Sequence, residues 1–364
     1  MAPPLSKGTC PEAGLDAREL RRIVPGLRTA LEPSPVHPWC AGAVVLAGRG
    51  RVVALHEAIG WAVRYAAYDA AADRGVELPR ERWVPTRPDT IFDLASVSKL
   101  FTAVLAARLL DLDRPAASYV PEFAAAGKAD ITVRQLLDHT SGFRPELPFY
   151  DLPTAPARLR RLWDEEPLHP PGTVRVYSDL NLITVQQVLE RATGQPLDVL
   201  VADGITGPLD MTDTGYGPPA ALLPRIAATE DQRRPWGKLD RGMVHGAVHD
   251  ENAYAAGGVS GHAGLFSTAW DLALFCRALL DAGGPYPGFE TDQPGLMGEL
   301  AGHGAVGHGG FTGTSLVIDP ATDTFLVLLS NSVHPSRTWR EGGAPRAAAA
   351  TRLARSVLPE GPKA

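Results

Sequence analysis

Lysine is scarce in this 364-residue chain: Lys7, Lys99, Lys128, Lys238 and Lys363 are the only five among 35 basic side chains, and the rest are arginine. Each lysine is therefore worth asking about, because an amine loses its proton at accessible pH and a guanidinium does not. Cysteine is scarcer still. Cys10, Cys40 and Cys276 are odd in number and far apart, which argues against a disulfide framework or a zinc knuckle and for a reducing, cytoplasmic compartment. Residues 1–22 lack an apolar stretch of signal-peptide length and carry Glu12, Asp16 and Glu19. No later run reaches the roughly 18 apolar residues of a transmembrane helix, so no membrane partner is expected. A positive charge excess is also missing: the formal net charge is −6, which excludes a basic nucleic-acid footprint.

Glycine and proline, at 37 and 33 residues, predict many turns and rule out a long-helix design. The length fits about two structural domains. Apolar spacing predicts a helix over 16–31, capped by Asp16 and kinked or ended by Pro25-Gly26. Residues 41–46 and 51–59 are β-rich and flank Gly48-Arg49-Gly50, a hairpin signal. Helical spacing covers 96–134 and 179–193, with a proline-punctuated stretch between them. Strands return at 314–318 and 324–329, joined by the turn 319–323, and a last helix covers 345–357. Strands from both ends of the chain, with helices between, predict an α/β (α+β) fold. Its sheet domain would take 1–94 and 245–364, a mostly helical domain would take 95–244, and the active site would lie between them.

Three short patterns carry chemistry. Ser96-Val97-Ser98-Lys99 places a hydroxyl and an amine one turn apart at the start of a helix, where the amine can serve the hydroxyl as base. Ser96 would also sit at the positive end of the helix dipole, with its own N–H free for an oxyanion. Tyr177-Ser178-Asp179 follows a Pro-Pro-Gly turn and opens the next helix. Gly307-His308-Gly309-Gly310-Phe311 is a glycine-rich strand that lets a ligand approach its backbone. Taken singly, each has an ordinary reading as a helix cap or a strand entry.

In this order, the three patterns resemble the SxxK, YxN and KTG-type motifs of the serine β-lactamase and penicillin-binding-protein superfamily. Further stretches extend the resemblance to the class C β-lactamase-related serine hydrolases: Phe92 to Lys99, Ile131 to Gly142, Pro208 to Thr214 and Gly264 to Ala269. It implies a β-lactamase-like fold, with a central antiparallel sheet flanked by helices and an inserted helical domain. It makes Ser96 the acylated nucleophile, Lys99 its neighbouring base and Tyr177 the relay to the leaving group. The N–H groups of Ser96 and Phe311 would form the oxyanion hole, with Asp179, His308, Gly309 and Gly310 lining the substrate site. The implied substrate is a small ester, amide or peptide, and no cofactor or metal is expected.

Two departures bear on the activity. His308 replaces the usual lysine and is a poorer anchor for a carboxylate, which favours esterase or amidase chemistry over strong β-lactamase activity. Asp179 replaces the usual asparagine, and a carboxylate beside Lys99 favours the ammonium, leaving Lys99 and Tyr177 both open as the base. The alternatives are transfer to an acceptor other than water, weak β-lactamase activity, or a catalytically silent binding module on the same fold. His245 and His249, with Asp250, offer a minor metal-site reading. A lipase-type oxyanion strand at His308 fails because no GxSxG follows it.

Overall fold

The computed structural model of the protein describes residues 4–33, 36–340 and 342–359. Strands β1 (Ser6–Lys7), β2 (Gly42–Arg49), β3 (Val52–Val63), β4 (Val84–Pro85), β5 (Glu290–Thr291), β6 (Val306–Gly309), β7 (Ser315–Asp319) and β8 (Thr324–Ser330) form one sheet. Their order is β1-β3-β2-β8-β7-β6-β5, with β4 paired to β3 off that path. The hairpin β2–β3 and the hairpin β7–β8 come from opposite ends of the chain and meet where β8 runs antiparallel to β2. The expected antiparallel sheet is thus present, with one departure at its edge, where β1 runs parallel to β3.

Side chains alternate along the central strands, as a sheet covered on both faces requires. Val44, Leu46, Leu316, Ile318, Phe325, Val327 and Leu329 face a core that continues without a break into the helical region around Leu100 and Phe101. Val45, Val317, Leu326 and Leu328 face the opposite core, closed by the helices Ile23–Thr29 and Ala344–Ser356. Among the described residues no helix is long and apolar enough to cross a membrane.

Two expected helices differ from the sequence reading. Asp16 does cap the first, accepting from the Arg18 N–H, but the helix stops at Leu20 and restarts as Ile23–Thr29. Pro25 thereby falls in a first turn, where its missing N–H has no partner to lose. The helical spacing over 96–134 is not one helix either. Helix Ser98–Leu109 ends before Asp111, whose carboxylate takes the Asp113 N–H, and Pro115 forbids continuation. Helix Val133–Leu137 then starts afresh on a capping box between Thr132 and Gln135.

Candidate active site

Ser96 lies in a single 3-10 turn, Ala95–Val97, that leads directly into helix Ser98–Leu109. The preceding Ala95 has φ +46°, a left-handed conformation that costs a non-glycine residue about 1–2 kcal/mol unless its surroundings impose it. They do. Asp93 Oδ1 accepts from the Ala95 N–H at 2.8 Å, while Thr312 and Thr314 hydroxyls donate to the carbonyls of Asp93 and Leu94. The strand-end loop after β6 therefore grips the nucleophile turn. Gly310 makes this possible: a Cβ there would lie 2.1 Å from Thr314 Oγ1 and 2.5 Å from the Leu94 carbonyl. The glycine space expected for a ligand is used at this point by the protein's own backbone.

The turn brings the catalytic candidates together. Lys99 is 1% exposed, and its Nζ donates to Ser96 Oγ at 2.8 Å and to the His262 carbonyl at 3.0 Å. Asp179 Oδ1 lies 2.8 Å from the same Nζ. The Tyr177 hydroxyl hydrogen-bonds with both Lys99 and Ser96. Burial alone would push the Lys99 pKa down, but Asp179 and Tyr177 more than reverse this, so the amine is held above its ordinary value as an ammonium. Burial raises the Tyr177 phenol, Lys99 opposes that rise and Asp179 adds to it. The backbone N–H groups of Ser96 and Phe311 donate to no protein acceptor among the described residues, the condition an oxyanion hole needs.

Two histidines frame Tyr177. His139 packs against its ring at 4.6 Å and accepts from the Ser178 N–H and the Asn181 amide at Nδ1. His308 lies 5.8 Å from it on the other side. Burial first, and then the nearby Lys99, pushes both imidazoles down to about 3, so both are neutral. His308 donates from Nδ1 to the Gly309 carbonyl at 2.8 Å, which leaves Nε2 a lone-pair acceptor. It therefore carries no charge for a substrate carboxylate.

A cleft of about 530 Å³ opens over Ser96, lined by Tyr177, His308, Gly309, Gly310, Phe311 and several residues absent from the sequence reading, among them Arg175, Arg340 and Arg346. Arg175 pairs with Glu290 at 2.6 Å. Arg346 is 8% exposed, donates to the Gly310 carbonyl and has an unpartnered Nε. Arg340 stacks over the Phe311 ring at 4.7 Å. Burial, followed by the charge of Arg340, pushes Arg346 down to about 10, and burial also lowers Arg340. Neither guanidinium forms an ion pair among the described residues. In a chain with thirty arginines, nothing in the sequence distinguishes these two.

The minor metal reading is not supported where it was expected. His245 Nε2 bonds the Ile226 carbonyl, whereas His249 Nε2 bonds Glu230 at 2.8 Å and its ring stacks on Phe311. The two histidines do not converge. Asp250 instead caps a short helix, Glu251–Ala255.

The profile of the Beta-lactamase family matches residues 27–351. The chain is 31% identical to a putative D-alanyl-D-alanine carboxypeptidase of Escherichia coli (strain K12), covering 74% of this chain and 75% of that one. It is 28% identical to an N-acetylmuramyl-L-alanine amidase of Bacillus subtilis (strain 168), over 80% and 77% of the two chains. Among solved structures, a class C beta lactamase from Rhodobacter sphaeroides superposes with a TM-score of 0.67 at 19% identity, covering 92% of this chain and 98% of that one.

Proposed function

Since the chain belongs to the beta-lactamase family of serine hydrolases, we propose that it cleaves small amides, peptides or esters that bear a carboxylate close to the scissile bond, through an acyl-enzyme on Ser96. One observation carries the substrate class. Arg340 and Arg346 are two desolvated guanidiniums that repel one another beside the nucleophile and form no ion pair among the described residues. A bound carboxylate relieves that repulsion and accepts a bidentate pair of hydrogen bonds. This supplies the anion anchor that neutral His308 does not.

In the proposed reaction the Ser96 Oγ attacks the substrate carbonyl, and its proton passes to the Tyr177 oxygen. Lys99, as an ammonium, stabilises the Tyr177 phenolate that takes this proton and becomes the neutral phenol. The N–H groups of Ser96 and Phe311 hold the oxyanion, Tyr177 returns the proton to the leaving group, and water then releases the acyl group. Lys99 is thus an electrostatic partner and Tyr177 the base.

A paired substrate panel tests this reading. D-amino-acid dipeptides ending in a free carboxylate, their C-terminal amides, p-nitrophenyl esters and nitrocefin would be compared on wild type, Ser96→Ala and Arg346→Ala. The expected result is a preference of about tenfold or more in kcat/KM for the free carboxylate, lost in Arg346→Ala, with no turnover by Ser96→Ala. Equal rates on the acid and amide forms, or turnover confined to the uncharged p-nitrophenyl esters, would contradict it.

A further inference from the structure

Behind Lys99, on the side away from Ser96, lies a second set of ionisable groups that the proposed reaction does not use. The carbonyl accepting from Lys99 Nζ belongs to His262, itself 1% exposed. The His262 imidazole is held at both nitrogens, by Ser260 Oγ at 2.8 Å on Nδ1 and by Asp250 Oδ1 at 2.9 Å on Nε2. Asp250 Oδ1 also accepts from the Ala253 N–H, which ties it to the start of helix Glu251–Ala255. Side-chain ligand atoms of Asp179, Asp250 and His262 lie within 4.8 Å of one another. A cluster of this shape suits a cation, and here the protein supplies one: the Lys99 ammonium.

We propose that Asp250 and His262 are positioning residues for Lys99: their pair clamps the segment whose carbonyl holds Nζ, and it places a second carboxylate behind the ammonium in addition to Asp179. This deepens the Ser96–Lys99–Tyr177 reading and rests on it for its catalytic meaning. A partly buried acid paired with a buried imidazole gives little net stability, so a role in fixing Lys99 accounts for the pair better than folding alone. The groups facing Lys99 are Ser96, Tyr177 from the loop before helix Asp179–Thr193, and Asp179 from the first turn of that helix. His139 faces it from the segment after helix Val133–Leu137, His308 from β6, and Asp250 and His262 from the 250–262 segment. His139 and His308 are neutral, so the groups that bear on its charge are Asp179 and Tyr177, with Asp250 adding a second carboxylate. The Asp250 carboxyl sits well below its ordinary range: burial opposes this, and His262 and Lys99 outweigh it.

Five lysines make the test tractable, because selectively labelled lysine Cε resonances can be assigned one by one. Asp179→Asn removes the nearer acid and brings the Lys99 titration within experimental reach. Adding Asp250→Asn, which retains a capping oxygen, is expected to lower the Lys99 midpoint further, by about half a pH unit or more. A midpoint unchanged between the single and double variants in folded protein overturns the proposal. In parallel, His262→Gln keeps the carbonyl but loses the two-sided clamp. It is expected to lower kcat about tenfold with KM within about twofold and an unchanged thermal midpoint. Wild-type kcat retained in this variant also overturns the clamp. The lysine titration needs no turnover, so a wild type that cleaves nothing removes the hydrolase reading while the positioning claim is still decided.

Discussion

Asp179 acts on the proton chemistry of both Lys99 and Tyr177. Its charge raises both Lys99 and Tyr177, and with Tyr177 as base the reactive form is the phenolate, whose fraction grows as pH rises toward an elevated pKa. The rate should therefore climb through neutral pH without levelling. Asp179→Asn lowers the Tyr177 pKa, so the climb should move to lower pH by about one unit, on the order of 1.4 kcal/mol. A pH–rate profile of kcat/KM checks this, and an unmoved curve refutes it. Ser96, Lys99, Tyr177 and Asp179 were legible because short spacing and motif order mark them. Arg340, Arg346 and His262 were not. Arginine is this chain's ordinary cation, and His262 meets Lys99 across 163 residues, through a main-chain carbonyl that leaves no trace in side-chain patterning.

The element that matters most is the pairing of the nucleophile turn with the end of β6. It holds Ala95 in a left-handed conformation beside two N–H groups, of Ser96 and Phe311, that have no protein acceptor among the described residues, and it requires that no Cβ intervene at Gly310. Gly310→Ala should force the two segments apart at a cost of about 1–3 kcal/mol and cut kcat by about 100-fold through the disturbed oxyanion hole. Thermal melting and steady-state kinetics measure the two effects, and a variant with wild-type kcat would show that the close approach is not needed. The same scale explains which elements could be read in advance. Helix Asp179–Thr193 matches its predicted bounds because Ser178 caps it and Gly194, at φ +72°, ends it. The end of the helix at Leu109 is set by an Asx turn at Asp111 and by Pro115, although the apolar spacing runs on beyond it.

Across the whole molecule, strands from both chain ends must close one sheet before the cleft exists, and a buried charge network secures the segment that faces it. Arg337 donates to Glu230 at 2.7 Å and also pairs with Glu251, and His249 bonds Glu230 from the other side. Burial opposes ionisation of Glu230, but His249 and Arg337 outweigh it and hold its pKa down to about 2, against an ordinary 4.5. Its contribution is therefore complete above pH 4.5 and lost as pH falls toward 2. Arg337→Gln leaves the acid buried without its main partner and should cost about 3–5 kcal/mol at neutral pH. Thermal midpoints measured from pH 7 to 3 should show a lower and flatter acid limb than wild type, and parallel curves would refute the assignment.

The central claim is covalent chemistry at Ser96, and intact-protein mass spectrometry tests it most directly. After reaction with a fluorophosphonate or a slowly hydrolysed ester, the wild type should gain one adduct per chain, mapped by peptide fragmentation to Ser96 and absent from Ser96→Ala. An unmodified wild type, or an adduct that persists in Ser96→Ala, would contradict it.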